Sequence, residues 1–563
     1  MKKQKVEKRK HTIIRPSRGW YVIPEWLEKT VDEFPDNEAV KIKRNKSWFT
    51  LTYYQLYKKV LAAAYLLRKE GIGKGDSVGI LGENSPEWII SFFATSYSGA
   101  SVVPIDSRLE PSEYRHIIRE AGLRGIFASD RFIPEIKELS LEKSFRIYPF
   151  SSLLDLEEAR VPFPDINLED EAILMFSSGT TGVSKGIVLV QRNIAANLDA
   201  FYQTFEFIPG DIFFLILPLH HSFPITTSLL APVSVGATIA IARSFKPNEL
   251  REDLLEVQPH EMMVVPLILE KLIRGVLQKV EKSPLPTRVL FKSMKLSSKI
   301  IGGKVSFKTL RKKMGFGRMK YLVSGGAALP GWISEILEEM GFPILQGYGL
   351  AETAPVVSVN PPCCPRNKSV GWPLPYVEVR IFDPDEEGIG EIGVRGPNVM
   401  KGYYKDAERN KKVFTEDRFF LTGDMGYIDD DGYIYISGRK KFVIVTKGGK
   451  NIYPEEVEEA LLRSDFVKEV LVISTNNPTT GAEELQAIVY PDFDLVYETL
   501  EKQGKQVSED KIYELIGSEI KKYSQDLADY KRVRSFVIRD EEFPKTTSQK
   551  IKRHLFYGEA KRV

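Results

Sequence analysis

Between residues 52 and 106 the chain changes its apolar period twice. T-Y-Y-Q-L-Y-K-K-V-L-A-A-A-Y-L-L-R-K-E-G carries helical spacing and S-V-G-I-L-G is a short run closed by glycine. A second helical stretch begins near Pro86 and ends before V-V-P-I. Apolar runs bounded by glycine and alternating with helical periodicity predict a layered sheet flanked by helices. The texture returns at A-I-L-M-F (172 to 176), G-I-V-L-V (186 to 190), I-F-F-L-I-L-P (212 to 218) and A-T-I-A-I-A (237 to 242), so the predicted fold class is α/β.

A chain of 563 residues is too long for one ordinary core. The segment from 376 to 437 switches to short β-rich pieces with acidic turns, which predict hairpins. A boundary is placed after them near Gly438, and the remainder alternates strands such as E-V-L-V-I-S with helices such as P-E-E-V-E-E-A-L-L, as a small α/β domain would. Residues 275 to 320 are rich in Lys and Arg with a patchy apolar pattern and read as a surface elaboration.

Lys plus Arg (79) nearly balances Asp plus Glu (76), a net +3 without the field a nucleic-acid partner calls for. The two cysteines, Cys363 and Cys364, are adjacent and offer neither a disulfide framework nor metal spacing. A reducing cytoplasm is expected. The first eleven residues hold six Lys or Arg, a solvated tail or a contact with an anionic membrane surface through the Ile13, Ile14, Trp20, Tyr21 and Ile23 that follow. No run reaches the ~18 apolar residues that span a bilayer.

The segment F-S-S-G-T-T-G-V-S-K-G, Phe176 to Gly186, follows an apolar strand. It supplies hydroxyls from Ser177, Ser178, Thr180 and Thr181, accessible backbone N–H groups at Gly179, Gly182 and Gly186, and the charge of Lys185. Such a loop can wrap a polyphosphate. It is not a Walker A loop, because the spacing differs and the chain runs on into β-branched I-V-L-V instead of a helix. G-I-G-E-I-G, Gly388 to Gly393, has the letters of a dinucleotide fingerprint but lies between an acidic turn and V-R-G-P, where the required helix is missing.

With G-Y-G-L-A-E-T (347 to 353), G-E-I-G-V-R-G-P-N-V-M-K-G-Y-Y, T-G-D (422 to 424), G-R-K-K (438 to 441) and P-K-T-T-S-Q-K-I-K-R (544 to 553), the loop forms an ordered set across almost the whole chain. The set resembles the adenylate-forming superfamily of acyl-CoA synthetases, peptide-synthetase adenylation domains and luciferases. Ser184 stands where proline is usual, Ala351 where Thr or Ser is usual, and Gln549 where glycine is usual.

The resemblance implies a tail at 1–15, a large domain at 16–438 holding the acyl and ATP sites, a hinge at 439–441 and a mobile domain at 442–563. It implies ATP, Mg2+ and CoA. Ser177 to Gly182 and Lys185 would hold phosphate; Glu352 and Thr180 would hold magnesium. Adenine would lie against Tyr348 among Gly325, Gly326, Ala327, Gln346, Gly347 and Gly349, with Asp424 and Arg439 on the ribose. Lys550 would reach both the reacting carboxylate and the α-phosphate, then swing away about Lys441 to admit a thiol past Gly448 and Gly449. His221 would border the acyl pocket. Taken alone, Tyr348 and His221 read equally well as packed core side chains and Glu352 as a solvated carboxylate.

I-L-Q-G-Y-G-L, R-G-P-N-V-M-K-G-Y-Y and I-V-T-K-G-G-K-N-I-Y-P-E-E-V-E look most like bacterial long-chain fatty-acid CoA ligases. The implied reaction joins a medium- to long-chain fatty acid to CoA through an acyl-adenylate. A carrier-protein acceptor and a non-catalytic lipid-binding relative are the alternatives.

Overall fold

The computed structural model describes residues 15–139, 145–177, 185–445, 450–476, 483–545 and 550–556. Residues 1 to 14 of the basic tail, the centre of the phosphate loop (178 to 184, with Ser178, Gly179, Thr180, Thr181 and Gly182), Gly448, Gly449 and Gln549 lie outside the described residues.

Two sheets form the large α/β body. In one, the strands Glu171–Ser177, Ser101–Ile105, Ser77–Leu81, Gly125–Ala128 and Arg146–Pro149 run parallel, and Lys185–Val190 and Gly402–Tyr403 add antiparallel at one edge. In the other, Ile344–Gly349, Tyr321–Ser324, Glu261–Val264, Ile212–Leu215, Thr238–Ile241 and Glu38–Arg44 are parallel neighbours. Parallel strands are buried on both faces and therefore read as continuous apolar runs, which is why the α/β class was legible.

The helix Pro86–Ser98 is buried on every side. Ser85 starts it by accepting from the Trp88 N–H at 3.1 Å, and the left-handed Gly99 ends it. Trp88 stacks on Phe92 at 5.8 Å between centroids. Each such aromatic contributes on the order of 1.5–3 kcal/mol by burial. This helix packs against Tyr53–Lys69, which Thr52 and Gln55 begin with a capping box, in the main core.

The expected hairpins are present as an antiparallel sheet of Glu378–Phe382, Gly390–Arg395, Phe420–Ile428 and Ile434–Arg439. G-I-G-E-I-G enters one of these strands rather than a helix, in accord with its rejection as a dinucleotide fingerprint. After Arg439 comes a single 3-10 turn, Lys440–Phe442. A smaller unit follows, in which Val467–Asn476, Glu483–Pro491 and Val533–Ile538 form a sheet packed by the helices Pro454–Leu461 and Glu509–Ser524.

The basic stretch from 275 to 320 is built of helices: Pro266–Glu281 is followed by Leu285–Ile301, Gly303–Ser306 and Lys308–Lys313. No helix among the described residues is long and apolar enough to cross a membrane.

Candidate active site

Lys185, His221, Gly325, Gly326, Ala327, Gln346, Gly347, Tyr348, Gly349, Glu352, Asp424, Arg439, Lys441 and Lys550 all line one cleft. It encloses about 3160 Å³, several times the few hundred to a thousand Å³ of a small-ligand pocket, so it has room for two substrates together. Side chains up to 365 residues apart in sequence, Lys185 and Lys550, meet there because strand ends from three sheets converge on it.

Ile344–Gly349 delivers Tyr348, and Phe420–Ile428 delivers Asp424 opposite Arg439 in antiparallel register. The Tyr348 hydroxyl donates to Asp424 Oδ2 at 2.6 Å, and Arg439 Nε donates to Oδ1 at 2.7 Å. Burial raises the Asp424 pKa, opposed by Arg439, the Tyr348 hydroxyl and Lys550. Behind the pair, Glu391 accepts from the Gly423 N–H at 3.1 Å and from Lys440 at 2.6 Å, which fixes the turn carrying Asp424.

Glu352 sits in the 3-10 turn Ala351–Thr353. The R-G-P-N-V-M-K-G-Y-Y segment clamps that turn: Asn398 donates to the Thr353 carbonyl at 3.1 Å, the Met400 N–H donates to the Glu352 carbonyl at 2.8 Å, and the Tyr403 hydroxyl donates to Glu352 Oε1 at 2.9 Å. Gly349 is required at the strand end, because a Cβ there would lie 1.9 Å from the Pro355 carbonyl oxygen. Lys185 lies 5.9 Å above the Tyr403 ring; burial and then Arg409 lower its pKa, and Glu352 opposes them. A carboxylate held beside an incoming polyphosphate is the hard oxygen donor that Mg2+ takes, so Glu352 fits that ion.

Lys550 stands at the end of the loop that an antiparallel bridge between Lys545 and Ile551 closes, and the Lys552 N–H donates to the Pro544 carbonyl at 2.8 Å. Its side chain enters the cleft beside Asp424 and Arg439 while keeping solvent access. Crowding by the walls and then Arg439 lower its pKa, and Asp424 opposes. Lys441 is pulled down to about 8 by burial, Arg439 and Lys185.

His221 is also in the cleft. Burial and the neighbouring His220 ring, 4.3 Å away, pull its pKa to about 3, so it is neutral at ordinary pH. His220 is buried, with Nε2 3.3 Å from Asp106 Oδ2; burial would raise the Asp106 pKa, but His220 and Arg108 outweigh it and hold the carboxyl well below the usual range. Asp106 and Arg108, which pair with each other two residues apart, were not singled out from sequence, and Glu391 and Tyr403 stood inside a quoted motif without a role of their own, because the contacts that give them one, His220, Lys440 and Glu352, come from distant parts of the chain. Part of the same lining is apolar, an arm formed by residues that include Phe205, Met263, Leu272, Val276, Leu310 and Met314.

Elsewhere, Asp211, His260 and Glu261 lie within 4.8 Å of one another like metal ligands. Lys320 already donates to both Asp211 oxygens at 2.8 Å and supplies the cation.

The Tyr348, Asp424 and Arg439 cluster, the turn carrying Glu352 and a late lysine borne by a separate small unit, all on one cleft, define an adenylate-forming enzyme. The chain belongs to the AMP-binding enzyme family, whose model matches residues 27–404, with the AMP-binding enzyme C-terminal domain matching 456–550. It is 28% identical over 489 residues to a protein named indoleacetate–CoA ligase from Aromatoleum aromaticum, covering 83% of this chain and 88% of that one. It is also 28% identical over 585 residues to a long-chain-fatty-acid–CoA ligase from Bacillus subtilis, covering 95% and 93%. The crystal structure of ATP-bound MatB from Rhodopseudomonas palustris shares the fold, with a TM-score of 0.76 at 24% identity, covering 96% of this chain and 99% of that chain.

Proposed function

We propose that the chain is an AMP-forming acyl-CoA ligase whose preferred acids are medium- to long-chain fatty acids. The observation that carries the reading is that a single cleft joins Tyr348, Glu352, Asp424, Arg439 and Lys550 to an apolar lining. Relatives that act on an aromatic and on a long-chain acid leave the class of acid to that lining.

In the first half-reaction a carboxylate oxygen attacks the α-phosphorus of ATP, the α–β phosphoanhydride bond breaks and pyrophosphate leaves. Two anions must approach, so the work is charge compensation and positioning. Lys550 bridges the carboxylate and the α-phosphate. Ser177 to Gly182 and Lys185 hold the departing pyrophosphate, and Glu352 with Thr180 would hold a magnesium ion, whose charge would offset that developing on the phosphates. Tyr348 and the Gly325 to Ala327 backbone hold adenine, while Asp424 and Arg439 hold the ribose.

In the second half-reaction the CoA thiolate attacks the acyl carbon, the acyl C–O bond breaks and AMP departs with the oxygen. Lys550 must first withdraw with residues 442–563, pivoting about Lys441, so that the thiol can pass Gly448 and Gly449. Neutral His221 forms wall rather than base, since the carboxylate is already ionised near pH 7.

ATP–pyrophosphate exchange across a panel of acids tests the reading, followed by a search for thioester with free CoA. Exchange stronger with medium- and long-chain acids than with short or aromatic ones is the expected result. No exchange with any acid refutes acid activation, and exchange without CoA thioester moves the acceptor to a carrier protein.

A further inference from the structure

The helix Leu285–Ile301 is inside out. At about 100° per residue, Leu285, Val289, Leu296 and Ile300 fall within about 60° of arc on one face. That face points to solvent: the four side chains are 69%, 56%, 67% and 81% exposed. The opposite face holds the buried Phe291 and Ser298, and Phe291 packs edge-on against Phe307 at 5.6 Å. Leu290 and Ile301, further round the helix, and Val305 in the next helix are also exposed. An apolar patch of this extent on a folded surface marks an interaction site.

Charge selects the occupant. Residues 282 to 313 contain ten Lys or Arg and no Asp or Glu, and Arg288, Lys292 and Lys299 flank the stripe along one side. Two copies meeting through this face would set like charges together. An anionic lipid surface complements both the apolar stripe and the lysines. The cleft's apolar arm also reaches Ser283 and Thr287, at the start of this same helix.

We propose that Leu285–Ile301 lies in the headgroup region of an anionic membrane, with Leu285, Val289, Leu296 and Ile300 inserted and Lys292 and Lys299 on lipid phosphates. The docking stands on the surface alone; its use, delivering an acyl chain from the bilayer into the arm without crossing water, rests on the function proposed above.

Flotation of the full-length chain with phosphatidylcholine vesicles, with and without phosphatidylglycerol, tests it. The wild type is expected to float with the anionic vesicles and to be released by high salt. Leu296→Ser with Ile300→Ser should lower the partition coefficient by at least about tenfold. Lys292→Gln with Lys299→Gln should lower it roughly fivefold for each charge. An unchanged unfolding midpoint confirms that these variants fold. Failure of the wild type to bind, equal binding to neutral vesicles, or full binding by both variants overturns the proposal. So does concentration-dependent sedimentation that the serine variant abolishes, which would assign the face to a second copy. Pyrophosphate exchange measured without vesicles is a separate readout: its absence would refute acid activation and leave docking untouched.

Discussion

Asp424 and Arg439 face each other across the last two strands of the antiparallel sheet, joined at 2.7 Å, with the carboxylate buried and the guanidinium reaching solvent. Because one partner is buried, removing the other leaves a charge without compensation. Arg439→Ala is expected to lower stability by about 1–2 kcal/mol, discounted because the arginine is partly exposed. Burial already raises the Asp424 pKa, so the folded state binds the proton more tightly and stability falls as pH rises through the window above the ordinary Asp value. The variant should widen that window, which urea midpoints measured across the acid range would read.

Lys550→Ala should abolish pyrophosphate exchange while largely sparing thioester formation from supplied acyl-adenylate. Equal loss of both half-reactions would defeat the account in which this lysine withdraws between them.

Lys441, held near pKa 8 against an ordinary 10.5, sits with Arg439 and Lys185. Its folded pKa is depressed, so between about 8 and 10.5 stability rises with pH. A swing that separates it from those cations favours its protonated form. The ratio of thioester formation to adenylation is therefore expected to rise as pH falls through about 8, and Lys441→Gln should flatten that dependence in single-turnover measurements.

Gly349→Ala places a methyl group against the Pro355 carbonyl and displaces the turn that carries Glu352. A loss of about 2 kcal/mol or more in stability is expected, with magnesium-dependent exchange falling together with it. Calorimetry and exchange on one preparation check both.

Glu458 is buried, accepts from the Val472 N–H at 2.7 Å and pairs with Arg553. Burial lifts its pKa from 4.5 to about 7 despite those partners. Its folded pKa is raised, so its contribution is greatest below about 4.5 and falls by about 3 kcal/mol as pH rises to about 7. The difference in unfolding free energy between wild type and Glu458→Gln should change across that interval; a difference independent of pH would refute the assignment.

The α/β class was legible because doubly buried strands such as Ile212–Leu215 write themselves as unbroken apolar runs. The cleft residues were legible as an ordered set, because Tyr348, Glu352, Asp424, Arg439 and Lys550 each stand inside a longer motif. What those motifs do for one another was not. Asn398, Met400 and Tyr403 hold the Glu352 turn across about fifty residues of intervening chain, a relationship no local period encodes. The Leu285–Ile301 helix was missed for a different reason: lysines and serines fall between its apolar residues and the stretch reads as a patchy basic surface, and only the structure shows that its apolar stripe faces outward.

Arg439 is the final residue of its strand, and the 3-10 turn begins only at Lys440. A rotation that starts at or beyond that turn removes Lys550 but leaves Arg439, Asp424 and Tyr348 fixed to the large body. The activated acid would then stay tethered through its nucleotide half while the catalytic face is exchanged. On the function proposed above, where one strand stops would keep a labile mixed anhydride from escaping to hydrolysis.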